Sequence, residues 1–167
     1  MAAGAGRIIA VDIASDKLGL DRQLGATDTF NATDPNCTEK IIEETKGGVE
    51  YAFEVAGVVE AMQTAYAITR RGGTTITSGL SQHQHTFDIP HSQLVVDERT
   101  IKGSYMGSCV VRNDVPKFIN LYKQGKLPVD KLRSGNIGLN DLNLGFDKLA
   151  AGDAIRQMLV MHDEFSA

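Results

Sequence analysis

The chain has 167 residues, 42% of them hydrophobic and 23% charged, with a formal net charge of -4, which fits one globular domain with a core, or such a domain with an appendage. The acidic balance gives no electrostatic case for nucleic acid or an anionic membrane as partner; no apolar run approaches the ~20 residues of a membrane span, and Met1-Ala2-Ala3 opens no signal peptide. Cys37 and Cys109 are far apart and form no CxxC, which suits reduced thiols in a cytoplasmic protein better than a disulfide framework or a zinc site.

In chain order, MAAGAG reads as the last residues of a helix followed by a glycine stop. Arg7–Asp12 (RIIAVD) follows: a branched apolar run too short for a helix, ending on one carboxylate, which predicts a strand buried on both faces. Ser15 starts a helix that reaches about Leu24 and stops at Gly25, with Gly19 inside it at a cost of about 1 kcal/mol relative to alanine. Thr27–Phe30 is a short strand. A helix over Glu39–Lys46 presents Ile41 and Ile42 and ends at Gly47-Gly48.

Val49–Val55 (VEYAFEV) is the next strand, stopped by Ala56-Gly57. Val58–Arg70 has Val59, Met62, Ala65, Tyr66 and Ile68 at near-helical spacing, with Arg70-Arg71 and Gly72-Gly73 as favourable C-terminal chemistry. Thr74–Thr77 is a β-branched strand that ends at Ser78-Gly79-Leu80. After a polar loop over Ser81–His85 come a short extended stretch at Phe87–Ile89, a helical turn at Leu94–Val96 and a strand at Thr100–Tyr105. Strands alternating with helices, each strand ending near a small or polar residue, predict a doubly wound parallel sheet of the α/β class. Beyond it, Asn113-Asp114-Val115-Pro116 starts a helix with proline near the first turn. Leu139-Asn140-Asp141 starts another, and Ile155–Met161 is a final apolar strand.

An acid at the carboxyl end of a parallel strand points into the crevice where open α/β sheets bind ligands. Asp12 is placed to accept hydrogen bonds from the two hydroxyls of an adenosine ribose and to repel a 2′-phosphate, favouring NAD over NADP. Equally, it is placed merely to cap the next helix, since Ser15 and Asp16 follow closely.

Several landmarks together carry a resemblance: Gly4-Ala5-Gly6-Arg7-Ile8-Ile9-Ala10-Val11-Asp12, Leu24-Gly25-Ala26-Thr27-Asp28, Gly48-Val49-Glu50-Tyr51-Ala52-Phe53-Glu54-Val55, Arg71-Gly72-Gly73, Glu98-Arg99-Thr100-Ile101-Lys102-Gly103-Ser104, Gly145-Phe146-Asp147-Lys148-Leu149 and Ala154-Ile155-Arg156. In this order and spacing, across nearly the whole chain, they resemble the carboxyl-terminal half of a zinc-type, medium-chain alcohol dehydrogenase. Within that family the pattern is similar to the bacterial enzymes grouped with thiol-dependent formaldehyde dehydrogenases.

The resemblance implies an incomplete NAD-binding Rossmann domain over residues 1–108. It also implies a segment over 109–167 that in the family packs on a catalytic domain. The family's first strand and its GxGxxG loop, whose backbone amides meet the cofactor pyrophosphate, would precede Met1, as would the catalytic domain with its zinc ligands. No catalytic residue and no metal ligand are therefore expected in this chain, and zinc belongs to the full-length family only. In the sheet order 3-2-1-4-5-6 the missing strand separates Arg7–Asp12 from Val49–Val55, so these two strands should close up or borrow a strand from a partner chain.

As NAD contacts the resemblance implies Asp12 and Lys17 at the adenosine ribose and Ile13 beside the adenine. Val55, Ala56 and Gly57 border the adenosine half. Ser78, Gly79 and Leu80 approach the nicotinamide, and Ser104, Tyr105 and Met106 line its far end. Arg156 reaches the phosphates, its alternative being a surface ion pair. Dimeric relatives pair through the strand at 100–105, whose sequence TIKGSY has few charges to blunt an edge, so a homodimer through that strand is expected.

Among the remaining residues, His83 and His85, with His91 nearby, could chelate from an extended segment. A plain polar loop accounts for them better, because nothing supplies further ligands. Glu54 reads as a structural buried acid, and Cys109 as a semi-buried thiol. Leu142, Phe146, Met158 and Val160 should leave an exposed apolar patch. The leading expectation is the cofactor-binding portion of an NAD-dependent zinc-type alcohol dehydrogenase, inactive alone. The alternative is a non-catalytic remnant or dimerisation module that keeps the fold, and a third possibility is another nucleotide-binding enzyme on it.

Overall fold

The computed structural model describes residues 3–161, which fall into two compact units, one of Arg7–Val111 and one of residues 3–6 with 112–161. Of the opening segment read as a helix end, Met1 and Ala2 lie outside the described residues. Ala3–Gly6 is turn and coil, with Gly4 at φ 83°.

The first unit alternates strand and helix: β1 (Ile9–Asp12), α1 (Ser15–Leu24), β2 (Asp28–Asn31), α2 (Cys37–Glu44), β3 (Val49–Glu54), α3 (Val59–Ile68), β4 (Thr69–Thr77), α4 (His91–Val96) and β5 (Thr100–Gly103). Every strand pair is parallel, β1 with β2 and β3 with β4 with β5, the Rossmann-like α/β arrangement that the alternation predicts. The sheet, however, is in two pieces, β1-β2 and β3-β4-β5. The expected closing-up of the first strand on Val49–Val55 does not occur within the chain.

Side-chain packing joins the two pieces instead. Cys37 and Ile41 of α2, Ala65 and Ile68 of α3 and Ala52 of β3 form one buried cluster, against which Ile9, Val11, Phe30 and Val49 pack. Strands β1, β2 and β3 are thus fastened to the same helical layer, and that layer fixes them without a backbone ladder between β1 and β3. It also explains why β1 is only half-buried along its length rather than buried on both faces: Ile9 and Val11 meet the core, while Ala10 and Asp12 alternate to the other side.

Other boundaries moved for local reasons. The helix predicted to run through Arg70 stops at Ile68, and Thr69–Thr77 is continuous strand. Thr69 is fully buried, its hydroxyl bonding the Ala65 carbonyl (2.7 Å) and the Thr75 hydroxyl (2.8 Å). Beside it, Gly48 at φ 110° lets the chain pass so close that a Cβ there would sit 2.5 Å from the Ile68 carbonyl oxygen. Arg70 and Arg71 therefore belong to a strand, not a helix end. Phe87–Ile89 forms no strand. Strand β5 ends at Gly103, and Tyr105–Ser108 is a 3₁₀ turn in which Met106 (φ 47°) and Gly107 (φ 68°) are left-handed.

In the second unit α5 (Val111–Lys123) starts ahead of the predicted Asn113, so Pro116 lies inside the helix. A strand not anticipated from sequence, β6 (Arg133–Gly138), pairs in parallel with β7 (Arg156–Val160) across α6 (Leu142–Ala151). Gly145 is the buried residue of α6, and a Cβ there would meet Ile137 at 2.7 Å. Phe146 (59% exposed) and Met158 remain open, as the expected apolar patch requires, whereas Leu142 and Val160 are half-buried.

Candidate dinucleotide site at the strand ends

In parallel sheets ligands bind beyond the carboxyl ends of the strands, and there the first unit gathers most of the predicted contacts. Asp12 ends β1 and is half-buried; its Oδ1 accepts the Ala14 N–H at 2.8 Å. That bond orders the turn into α1 without capping the helix, whose N-cap is Ala14 and takes no side-chain cap bond. Ile13 follows with its side chain exposed, and Lys17 is half-buried in the opening turns of α1. Asp21, on the same helix, has its carboxyl pushed above the usual range by burial and by the Asp12 charge.

The ends of β3, β4 and β5 lie side by side. Val55, Ala56 and Gly57 leave β3, and Ser78, Gly79 and Leu80 leave β4, with Leu80 81% exposed. Ser104 is tied to the end of β4 by its N–H to the Thr77 carbonyl (2.8 Å). Tyr105 and Met106, both exposed, lie on the 3₁₀ turn rather than on the strand predicted through Tyr105. Arg156 opens β7 in the second unit, where its backbone N–H approaches the Ser134 hydroxyl (3.4 Å).

The turns after β3 and β4 cross at backbone contact. A Cβ on Gly79 would stand 2.2 Å from the Gly57 nitrogen; Gly57 has φ 74°, and a Cβ there would stand 2.7 Å from the Leu80 carbonyl oxygen. Side chains meet behind the crossing. Glu54, 4% exposed, accepts the Gly57 N–H on Oε1 (2.6 Å) and the Thr77 hydroxyl on Oε2 (2.7 Å). Its carbonyl accepts the Ser78 N–H (2.9 Å). The structural role read for Glu54 thus has partners at the site itself. Thr77 was missed, and a lone strand threonine carries no mark. Its pairing with Glu54 exists only once β3 and β4 are in register. A cavity of about 190 Å³ opens here, with Glu54, Met62, Thr77 and His85 among its walls.

Among the described residues no group of three His, Cys, Asp or Glu side chains could hold a metal ion. The Cys37 thiol is buried, and burial pushes its pKa up, the reverse of a ligating or reactive cysteine. Among the described residues, no helix is long and apolar enough to cross a membrane.

Parallel strands joined by helices, with an acid and interlocked glycine turns at their carboxyl ends, define a Rossmann-like α/β protein. Comparison narrows the class. Residues 1–124 match the zinc-binding dehydrogenase family, and the chain belongs to that family of zinc-type alcohol dehydrogenases. It is 34% identical over 164 residues to a probable S-(hydroxymethyl)glutathione dehydrogenase 1 of Schizosaccharomyces pombe, covering 97% of this chain and 43% of the relative. To alcohol dehydrogenase 1 of Trifolium repens it is 31% identical, covering 96% and 43%. Benzyl alcohol dehydrogenase from Acinetobacter calcoaceticus superposes with a TM-score of 0.91 at 30% identity, over 95% of this chain and 44% of that one. The chain thus spans under half the length of these relatives.

Proposed function

We propose that this chain is the cofactor-binding portion of an NAD-dependent, zinc-type alcohol dehydrogenase, an oxidoreductase that transfers hydride between an alcohol or aldehyde and NAD. The observation that carries the reading is the alignment of 55–57, 78–80 and 104–106 at one carboxyl edge, with glycines at 57 and 79 leaving backbone, not side chain, at the surface of the crossing. The residues fit a dinucleotide. Asp12 would hold the adenosine ribose with Lys17 beside it, and Ile13 would flank the adenine. Val55, Ala56 and Gly57 would border the adenosine half; Ser78, Gly79, Leu80, Ser104, Tyr105 and Met106 would line the nicotinamide end. Arg156 is assigned to the phosphates on the family resemblance.

A cavity of about 190 Å³ is smaller than the roughly 300–1,000 Å³ of a small-ligand pocket, so the cofactor would lie across the strand ends rather than sink between them. When bound, NAD supplies the hydride acceptor. This chain's part is to orient it; with no metal-ligand set among the described residues, the chain alone is proposed to be inactive. The buried Cys37 thiol is in keeping with a cytoplasmic setting, and the unpaired side of β5 favours a homodimer through that strand. Strand exchange between β1 and β3 is the other route to association.

Titration of the purified chain with NADH, followed by its fluorescence, tests the reading. Saturable binding is expected, weakened about tenfold by Asp12→Ala through lost ribose hydrogen bonds. A folded chain that takes up no NADH would instead favour a non-catalytic dimerisation module, the alternative that the two-piece sheet supports.

A further inference from the structure

Glu54 is a buried side chain that borders the small cavity at the strand ends, and both its oxygens are engaged at the crossing of two turns. We propose that Glu54 is a positioning residue: with Thr77 it clamps the 55–57 turn to the 78–80 turn and so sets the spacing of the backbone on which the dinucleotide rests. This builds on the reading that those turns border the cofactor.

Gly57 and Gly79 meet through backbone alone, and a Cβ at Gly79 would also lie 2.8 Å from Glu54 Oε1. Without the carboxylate, Gly57 N–H would lose its acceptor and the Thr77 hydroxyl its partner, while the Glu54 carbonyl would still receive Ser78. A buried carboxylate is costly unless hydrogen-bonded, and bonds to a charged acceptor are the stronger kind. An apolar residue would pack here without linking the turns. A single hydroxyl would be too short to span from Gly57 to Thr77. The span needs a two-oxygen side chain on the strand residue directly opposite Thr77, and that position is Glu54.

Amide hydrogen exchange on the whole chain tests the clamp, using Glu54→Gln, Glu54→Ala, Thr77→Val and a core control, Ile41→Val. Glutamine keeps an oxygen for Gly57 and offers an amide to the Thr77 oxygen, so its exchange at 57 and 78–80 should stay near wild type. Glu54→Ala should speed exchange at Gly57, Gly79 and Leu80 about tenfold or more and leave the β3–β4 ladder protected. Thr77→Val, which keeps the acid, should loosen 78–80 with less effect at Gly57. Even acceleration throughout β3 and β4, as in Ile41→Val, would overturn the clamp, and so would a change confined to Gly57. NADH affinity is read on the same variants: it should fall about tenfold in Glu54→Ala, beyond any fall in Ile41→Val, and be restored in Glu54→Gln. Failure of wild type to bind NADH would refute the cofactor reading, while the exchange pattern would still decide the clamp.

Discussion

A methyl group at Gly79 would meet the Gly57 backbone at 2.2 and 2.6 Å, whereas one at Gly19 in α1 would meet nothing within 4 Å. The backbone of Gly57 cannot swing aside, because its own φ of 74° and its approach to Leu80 hold it in place. Gly79→Ala is therefore expected to cost about 2 kcal/mol or more, and Gly19→Ala to gain up to about 1 kcal/mol through helix propensity, both read from urea midpoints. The sequence marks Gly57 and Gly79 alike, as breakers just after strands, and Gly19 as a glycine inside a helix. The strand-end acid Asp12 and the glycine-bearing turns were legible because they are local signals. The Glu54–Thr77 pair was not, since its residues are 23 positions apart and meet only once the β3–β4 register exists.

Between elements, the start of β1 is tied down by charge. Arg7 bonds Asp28 through Nε (2.8 Å) and Nη2 (3.0 Å) and reaches Glu44 of α2 with the same guanidinium. Its hydrogen bond, with a further one from Thr27, holds the Asp28 carboxyl at about 2. A carboxylate whose folded pKa lies below its unfolded value adds stability that is present above about pH 4 and lost as the pH falls toward 2. Asp28→Asn should thus flatten the fall in melting temperature between pH 4 and 2 while lowering stability at neutral pH, a change that thermal denaturation across that range would show. Asp21 works in the opposite sense. Its carboxyl is raised by burial and by Asp12, so the folded state binds that proton more tightly, and its ionisation removes stability as the pH rises above about 4. Asp21→Asn should raise the melting temperature at pH 7 and leave it nearly unchanged at pH 3. Sequence periodicity found most elements but misplaced those decided by tertiary contact. Helix α3 yields to strand at Thr69 because a buried hydroxyl pair forms there. Strand β6, RSGNIG, contains two glycines and one large apolar residue, and becomes a strand through pairing with β7 and packing under Gly145.

At the scale of the chain, alternation of strand and helix foretold a parallel α/β unit, but not that the helical layer would hold β1 and β3 apart. That leaves strand edges, and association is decided by which edge is used. On β5, Ser104 N–H points to the Thr77 carbonyl of β4; by strand alternation Lys102 faces β4 as well, while Gly103 N–H faces the side away from it. Gly103 has an ordinary φ, and a Cβ there meets nothing within 4 Å. Proline at 103 would remove one outward donor at an edge, where it is tolerated, and would spare the ladder to β4. If the chain dimerises by edge-to-edge pairing of β5, Gly103→Pro should shift sedimentation equilibrium toward monomer by about tenfold or more in dissociation constant, with melting temperature nearly unchanged and Gly103→Ala behaving as wild type. A dimer indifferent to Gly103→Pro would move the contact elsewhere. The free edges of β1 and β3 would then be the next to block, because each has a strand neighbour on one side only.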